Sequence, residues 1–144
     1  MITDAFLRVS AAQAVTTTAV STNTVDLSTN REIGEGDDLY MVFSVGTAFA
    51  GGTSINFTVI VADDAALSSN VTTIGMSGVI VTASLTANSQ QIVRLNPLIG
   101  QLGRRYLGAN YVVVGTMSAG TVTADIVSDI QDGKKFYANG FAVL

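Results

Sequence analysis

Apolar side chains return on every second residue in run after run of this chain, and no stretch sustains the spacing of an amphipathic helix. In Ile55-Asn56-Phe57-Thr58-Val59-Ile60-Val61, the residues Ile55, Phe57, Val59 and Val61 share one parity, with Asn56 and Thr58 between them. Val79 to Leu85 and Thr121 to Ile126 repeat the pattern. A slip of one residue turns each apolar set outward, so the registers are expected to be well fixed. Leu39 to Val45, Gln91 to Leu95 and Tyr106 to Val114 are further strands, and two weaker ones fall between Ala14 and Leu27, where Thr16, Thr17, Thr18 and Val25 favour extended backbone. Tyr111 to Val114 is apolar on both faces, which suits either a central strand of a sandwich or one covered by a neighbouring subunit.

Turn residues separate these runs: 34–38, 50–52, Gly75, Gly78 and Ala119-Gly120 read as turns, and 63–70 as a loop or a single helical turn. About eight strands at a spacing of roughly 8–12 residues indicate a sandwich or barrel. With one proline, Pro97, and no linker-like tract, residues 1–144 read as one β-sandwich domain.

The residue types that most often carry chemistry are scarce. The chain has no His, Cys or Trp, and charged residues make up 12% of it, about half the usual share of roughly 25%. Missing cysteines remove disulfides and thiolate metal sites together. A Ser or Thr nucleophile needs a base beside it, and without His that base has to be a lysine, of which Lys134 and Lys135 are the only two. Neither dinucleotide nor phosphate-loop glycine spacing occurs. The chain is therefore expected not to be an enzyme and to hold no cofactor.

Adjacent aspartates point apart on extended backbone, so Asp37-Asp38 and Asp63-Asp64 read as solvated turns with Asx hydrogen bonds rather than cation cages. Asp125 and Asp129 share strand parity and, with Asp132, form either a carboxylate ladder that could bind a cation or meet Lys134-Lys135, or a charged edge that blocks strand addition. No metal site is expected. The net charge of -4 and the scattered cations argue against a nucleic-acid partner. The first residues lack both parts of a secretory leader, and no apolar run reaches bilayer length, so a soluble chain with no membrane contact is expected. Positive mean hydropathy with so little charge leaves more apolar surface than one small core needs, which points to self-association or docking on a larger assembly.

Two segments stand out as contact surfaces. Arg104-Arg105-Tyr106 opens a strand and is either a polar anchor for an acidic partner or an ordinary exposed strand start. The tail from Lys134 to Leu144 holds Phe136, Tyr137 and Phe141, and Asn139-Gly140 permits a turn that folds Phe141 back. Its apolar side chains suit packing on the chain's own core or docking on a neighbour.

Gln13 to Leu27 resembles the opening of tailed-phage capsid cement proteins of the Bbp16-like family. Gly103 to Tyr111 looks like that group's Arg-Tyr-Leu strand, and Gly120 to Val127 and the Tyr137-to-Phe141 ending are similar too, so the likeness covers nearly the whole chain. It implies a jelly-roll sandwich of about eight antiparallel strands with no active site. It also implies a homo-oligomer, a dimer ahead of a trimer, made in the host cytoplasm. On the outer surface of the virion capsid this would bind the phage major capsid protein and stabilise the expanded shell. Sheet edges and terminal segments then become the contact regions, which singles out Phe6, Leu7, Arg8, Arg104, Arg105, Phe136, Tyr137 and Phe141. The competing expectation is a carbohydrate- or host-surface-binding sandwich from a tail fibre or adhesin, for which exposed aromatics around a concavity or a calcium cage would be needed.

Overall fold

The computed structural model describes residues 3–28, 38–95 and 102–130. After a 3-10 turn at Ala5–Leu7 come β1 (Arg8–Ala14), β2 (Ala19–Val20), β3 (Val25–Asp26), β4 (Tyr40–Val45), β5 (Ala50–Gly51) and β6 (Ser54–Ala62). They are followed by β7 (Thr72–Val81), a 3-10 turn at Thr82–Ser84, β8 (Gln90–Arg94), β9 (Tyr106–Val114), β10 (Met117–Ala119) and β11 (Thr121–Val127). Among the described residues there is no α-helix, in line with the period-two pattern.

The pairing is nested. β6 and β7 form the innermost antiparallel hairpin; outside it β4 pairs with β8, then β2 and β3 pair with β9, and outermost β1 pairs with β11. Two further pairings, β11 with β4 and β9 with β6, roll this ribbon into two sheets of order β1-β11-β4-β8 and β2-β9-β6-β7, with β3 beside β9. Counting β2 and β3 as one interrupted strand, this is the eight-strand double-sheet arrangement of a jelly roll. β10 and β5 form a small extra ribbon.

Alternation decides what lies between the sheets. Met41, Phe43 and Val45 of β4, with Val122, Ala124 and Ile126 of β11, face Ile55, Phe57, Val59 and Val61 of β6 and Ala109 and Tyr111 of β9 in one buried cluster. At its centre the Phe43 ring stacks on Phe57 from the opposite sheet, centroids 5.0 Å apart, while Tyr111 meets both edge-on at 6.1 and 6.0 Å. Such pairs add about 0.5–1.5 kcal/mol to the burial of the rings themselves.

Several elements depart from the sequence expectation. The run at Val79 to Leu85 is not one strand: β7 begins at Thr72 and ends at Val81, and the chain then coils tightly to bury Leu85 in the core. Gly75 and Gly78 lie inside this strand rather than in turns. Gly75 is needed because a Cβ there would stand 2.7 Å from Val93 Cγ1 of the facing sheet. Gly78 sits in the left-handed region at φ 83° beside a register break opposite Phe57, whose N–H donates to the Ser77 hydroxyl instead of a ladder carbonyl. β1 carries no alternation that would reveal it, being built of small residues and broken by two register shifts with Ala12 at φ 46°.

Candidate docking surface

The two faces of β6 have different fates. Its inward residues fill the core. Its outward residues, Ser54, Asn56, Thr58, Ile60 and Ala62, run as a spine down the outside of the β2-β9-β6-β7 sheet. One end of that spine is covered. The loop between β6 and β7 folds back so that Leu67, held at φ 55°, packs on Ile60 and Ala62, flanked by Val20 and Tyr106. Gly108 lies beneath it, where any Cβ would run into Leu67 Cδ1 and approach the Ser21 hydroxyl.

That loop is pinned by the two adjacent aspartates. Asp64 accepts hydrogen bonds from the Ser68 hydroxyl and from the Ser68 and Ser69 amides, at 2.7 to 2.9 Å. These donors hold its carboxyl below the ordinary carboxylate value, the Ser68 hydroxyl most of all. Asp63 accepts from the Asn70 side chain at 2.6 Å and from Arg104 at 3.0 Å, and its carboxyl is likewise lowered, first by Asn70 and then by Arg104. The pair thus forms the Asx-bonded turn expected from sequence. Among the described residues no three acidic side chains gather as a metal site.

The other end of the spine has no such cover among the described residues. Across the sheet, Val81, Ser54 and Val114 form one row; Val79, Asn56 and Val112 the next; Met76, Thr58 and Asn110 the third. Val79 is 74% exposed and Met76 60%, and Val81, Val112 and Val114 are exposed as well. A narrow polar spine is therefore flanked by exposed Val81, Val79 and Met76 on one side and Val114 and Val112 on the other, with no charge in any of the three rows. The two-sided apolar strand expected at Tyr111 to Val114 is central in its sheet: Tyr111 is buried, while Val112 and Val114 open onto this face.

The expected contact residues fall elsewhere. Phe6, at the 3-10 turn capped by Asp4, is 90% exposed, whereas Leu7 packs against the core. Arg8 donates to Asp125, Nε to Oδ1 at 2.7 Å. Asp125 is buried on β11, between β1 and β4, so it is neither an edge residue nor one rung of a carboxylate ladder; Asp129 lies exposed beyond the strand end. Arg104 anchors the loop through Asp63. Arg105 makes a two-pronged pair with Asp26, at 2.9 and 2.8 Å, and lies 5.2 Å from the centre of the Tyr106 ring, so it fastens β3 to the start of β9. Each of the four described arginines, with Arg94 on Asp38, is engaged within the chain. Phe136, Tyr137 and Phe141, like Asp37, Asp132, Lys134 and Lys135, lie outside the described residues.

Sequence reasoning did not single out Met76, Val79 and Val81. The signal was there in β7, where Ile74 and Ile80 pack inward and apolar residues stand outward as well. Compared with known families, residues 9–126 match the family model described as Bbp16. No curated protein matches the chain.

Proposed function

Because the chain belongs to the Bbp16 family, whose name points to a bacteriophage protein, we propose that it is a capsid cement protein of a phage head. In this reading it is a homo-oligomer that binds the outer surface of the shell, contacts the major capsid protein at many equivalent places and stabilises the expanded form. It carries out no catalytic step and needs no cofactor, nucleic acid or membrane. Family membership across most of the chain is the observation that carries the proposal. The bare aliphatic rows Val79–Val112 and Val81–Val114 support it, because apolar surface of that kind on a small folded chain is normally covered by a protein partner.

The physical logic of a cement is avidity. A subunit that bridges neighbouring capsomers converts its second contact into an intramolecular one, so modest single contacts add up to firm attachment. A rigid jelly roll suits that work, because little conformational entropy is lost when a preformed surface docks.

The reading is tested by heating expanded, undecorated shells of the parent phage with and without the purified protein. A raised disruption temperature that saturates with added protein is the expected result, and an unchanged one overturns the proposal. For the adhesin alternative, Phe6 is the one exposed aromatic side chain among the described residues.

A further inference from the structure

The loop between β6 and β7 is closed at a cost. Leu67 stands in the left-handed region at φ 55°, a conformation that a branched apolar side chain disfavours. Arg104, which reaches across to Asp63, keeps its Nε–H buried with no acceptor among the described residues. Opening the loop relieves both costs, because Leu67 regains ordinary backbone angles and the Arg104 donor meets water.

Two kinds of contact oppose opening. One is apolar and indifferent to pH: Leu67 sits on Ile60 and Ala62, over the hollow left by Gly108. The other needs charge. Asp64 accepts from the Ser68 hydroxyl and the Ser68 and Ser69 amides, and Asp63 accepts from Asn70 and Arg104. Among the described residues, every side-chain hydrogen bond made by the 63–70 loop ends on one of these two carboxylates. The charged groups that face them are Arg104, just before β9, and next to it Arg105, which is engaged with Asp26 beside the Tyr106 phenol. The strands beneath and beside the loop, β2, β6 and β7, contain no charged residue.

We propose that residues 63–70 form an acid-released strap: when Asp63 and Asp64 take up protons, the loop lifts from the sheet and uncovers Ile60 and Ala62 while the sandwich beneath stays folded. The core that holds the sandwich lies on the other face of β6, where Phe57, Val59 and Val61 meet Phe43, and it shares no residue with the Leu67 cluster. Local opening is therefore not tied to loss of the core. The direction with pH follows from the donors. Both carboxyls are held below their ordinary value of 3.8, Asp63 chiefly by Asn70 and Asp64 chiefly by the Ser68 hydroxyl. Closure is fully supported above that ordinary value and loses the support as pH falls through the folded values. The inference is independent of the cement reading.

Methyl NMR of the full chain across a pH series is the test. At about pH 6 a cross-peak between the Leu67 and Ile60 methyl groups is expected, together with the Phe43–Phe57 ring contact that reports the core. As pH falls below about 4, the Leu67–Ile60 cross-peak is expected to be lost first, with the ring contact intact. Asp63→Ala combined with Asp64→Ala is expected to lose the same cross-peak already at about pH 6. The native titration stands by itself should that double variant misfold. A Leu67–Ile60 contact that disappears only together with the ring contact, or one that persists in the folded double variant, overturns the proposal.

Discussion

The Tyr111 hydroxyl lies 2.7 Å from the Ser10 hydroxyl in the buried space between the sheets, joining β9 of one to β1 of the other. Ser10 is itself 2.7 Å from Gln13 Oε1, an acceptor to which its hydroxyl must donate, so the Tyr111 hydroxyl donates and Ser10 accepts. Gln13 continues the chain, donating to the Val20 carbonyl and accepting from the Thr22 amide. A polar thread thus crosses an otherwise apolar core and fixes how β1 and the β2 segment approach the sheet they flank.

Removing either end of the Tyr111–Ser10 bond has unequal consequences. Tyr111→Phe deletes the donor and leaves Ser10 bonded to Gln13, at a cost of about 1 kcal/mol. Ser10→Ala strands a buried Tyr111 hydroxyl and is expected to cost about 2 kcal/mol, within the range for an unsatisfied buried group. Urea unfolding of the two variants gives the order directly; equal or reversed losses contradict the network.

The same tyrosine sets the alkaline limit of stability. Burial pushes the Tyr111 hydroxyl well above its ordinary value of 10.0. A folded value raised above the unfolded one favours the native state fully below the unfolded value and withdraws that support as pH rises through and beyond it. Native protein is therefore expected to lose stability above about pH 10 more steeply than Tyr111→Phe. At the acid end, Asp63 and Asp64 have lowered values, so their support is present above the ordinary carboxylate range and disappears as pH falls through the folded values. Asp64→Asn should flatten that acid limb in a melting series across pH.

Arg8 and Asp125 test whether the outermost strand pair is held by charge. The Asp125 side chain is buried and that of Arg8 only partly so. Arg8→Met leaves a carboxylate without its partner and is expected to lower the urea midpoint, by less than breaking a fully buried pair would. Arg8→Met combined with Asp125→Leu should regain most of that loss. A double variant as unstable as the sum of the singles would show that the pair contributes nothing of its own.

Gly108 decides whether the loop can lie on the sheet. Gly108→Ala drives a methyl group into the Leu67 side chain and is expected to cost about 1–3 kcal/mol by overpacking. Amide exchange in the 63–70 loop should rise with it, because Leu67 is what holds that loop against Ile60. Unchanged exchange there would contradict the covering role assigned to Leu67.

How far the sequence could be read follows from side-chain period. β6 and β11 announce themselves because apolar inward residues alternate with mostly polar outward ones, and β4 and β9 because they are nearly continuous apolar runs. β1 stays hidden because Ser10, Ala11, Ala12 and Ala14 are too small to show a face and its bulges break the period. Gly75 and Gly78 suggest turns, whereas one is required by the facing Val93 and the other by a bulge inside the strand. The ion pairs are invisible in sequence for another reason: Arg8 and Asp125 are 117 residues apart and Arg105 and Asp26 are 79 apart, so only the closed ribbon brings them together. The bare face was half legible, at Val112 and Val114. On β7 the bulge shifts the parity between Met76 and Val79, so a strict alternation cannot place both on one side.

Sedimentation of the purified protein with capsids of its parent phage tests the cement assignment most directly, with expanded shells and compact proheads run side by side. Saturable pelleting with the expanded shells, and none with the proheads, is the predicted result. Absence of the protein from both pellets contradicts the assignment.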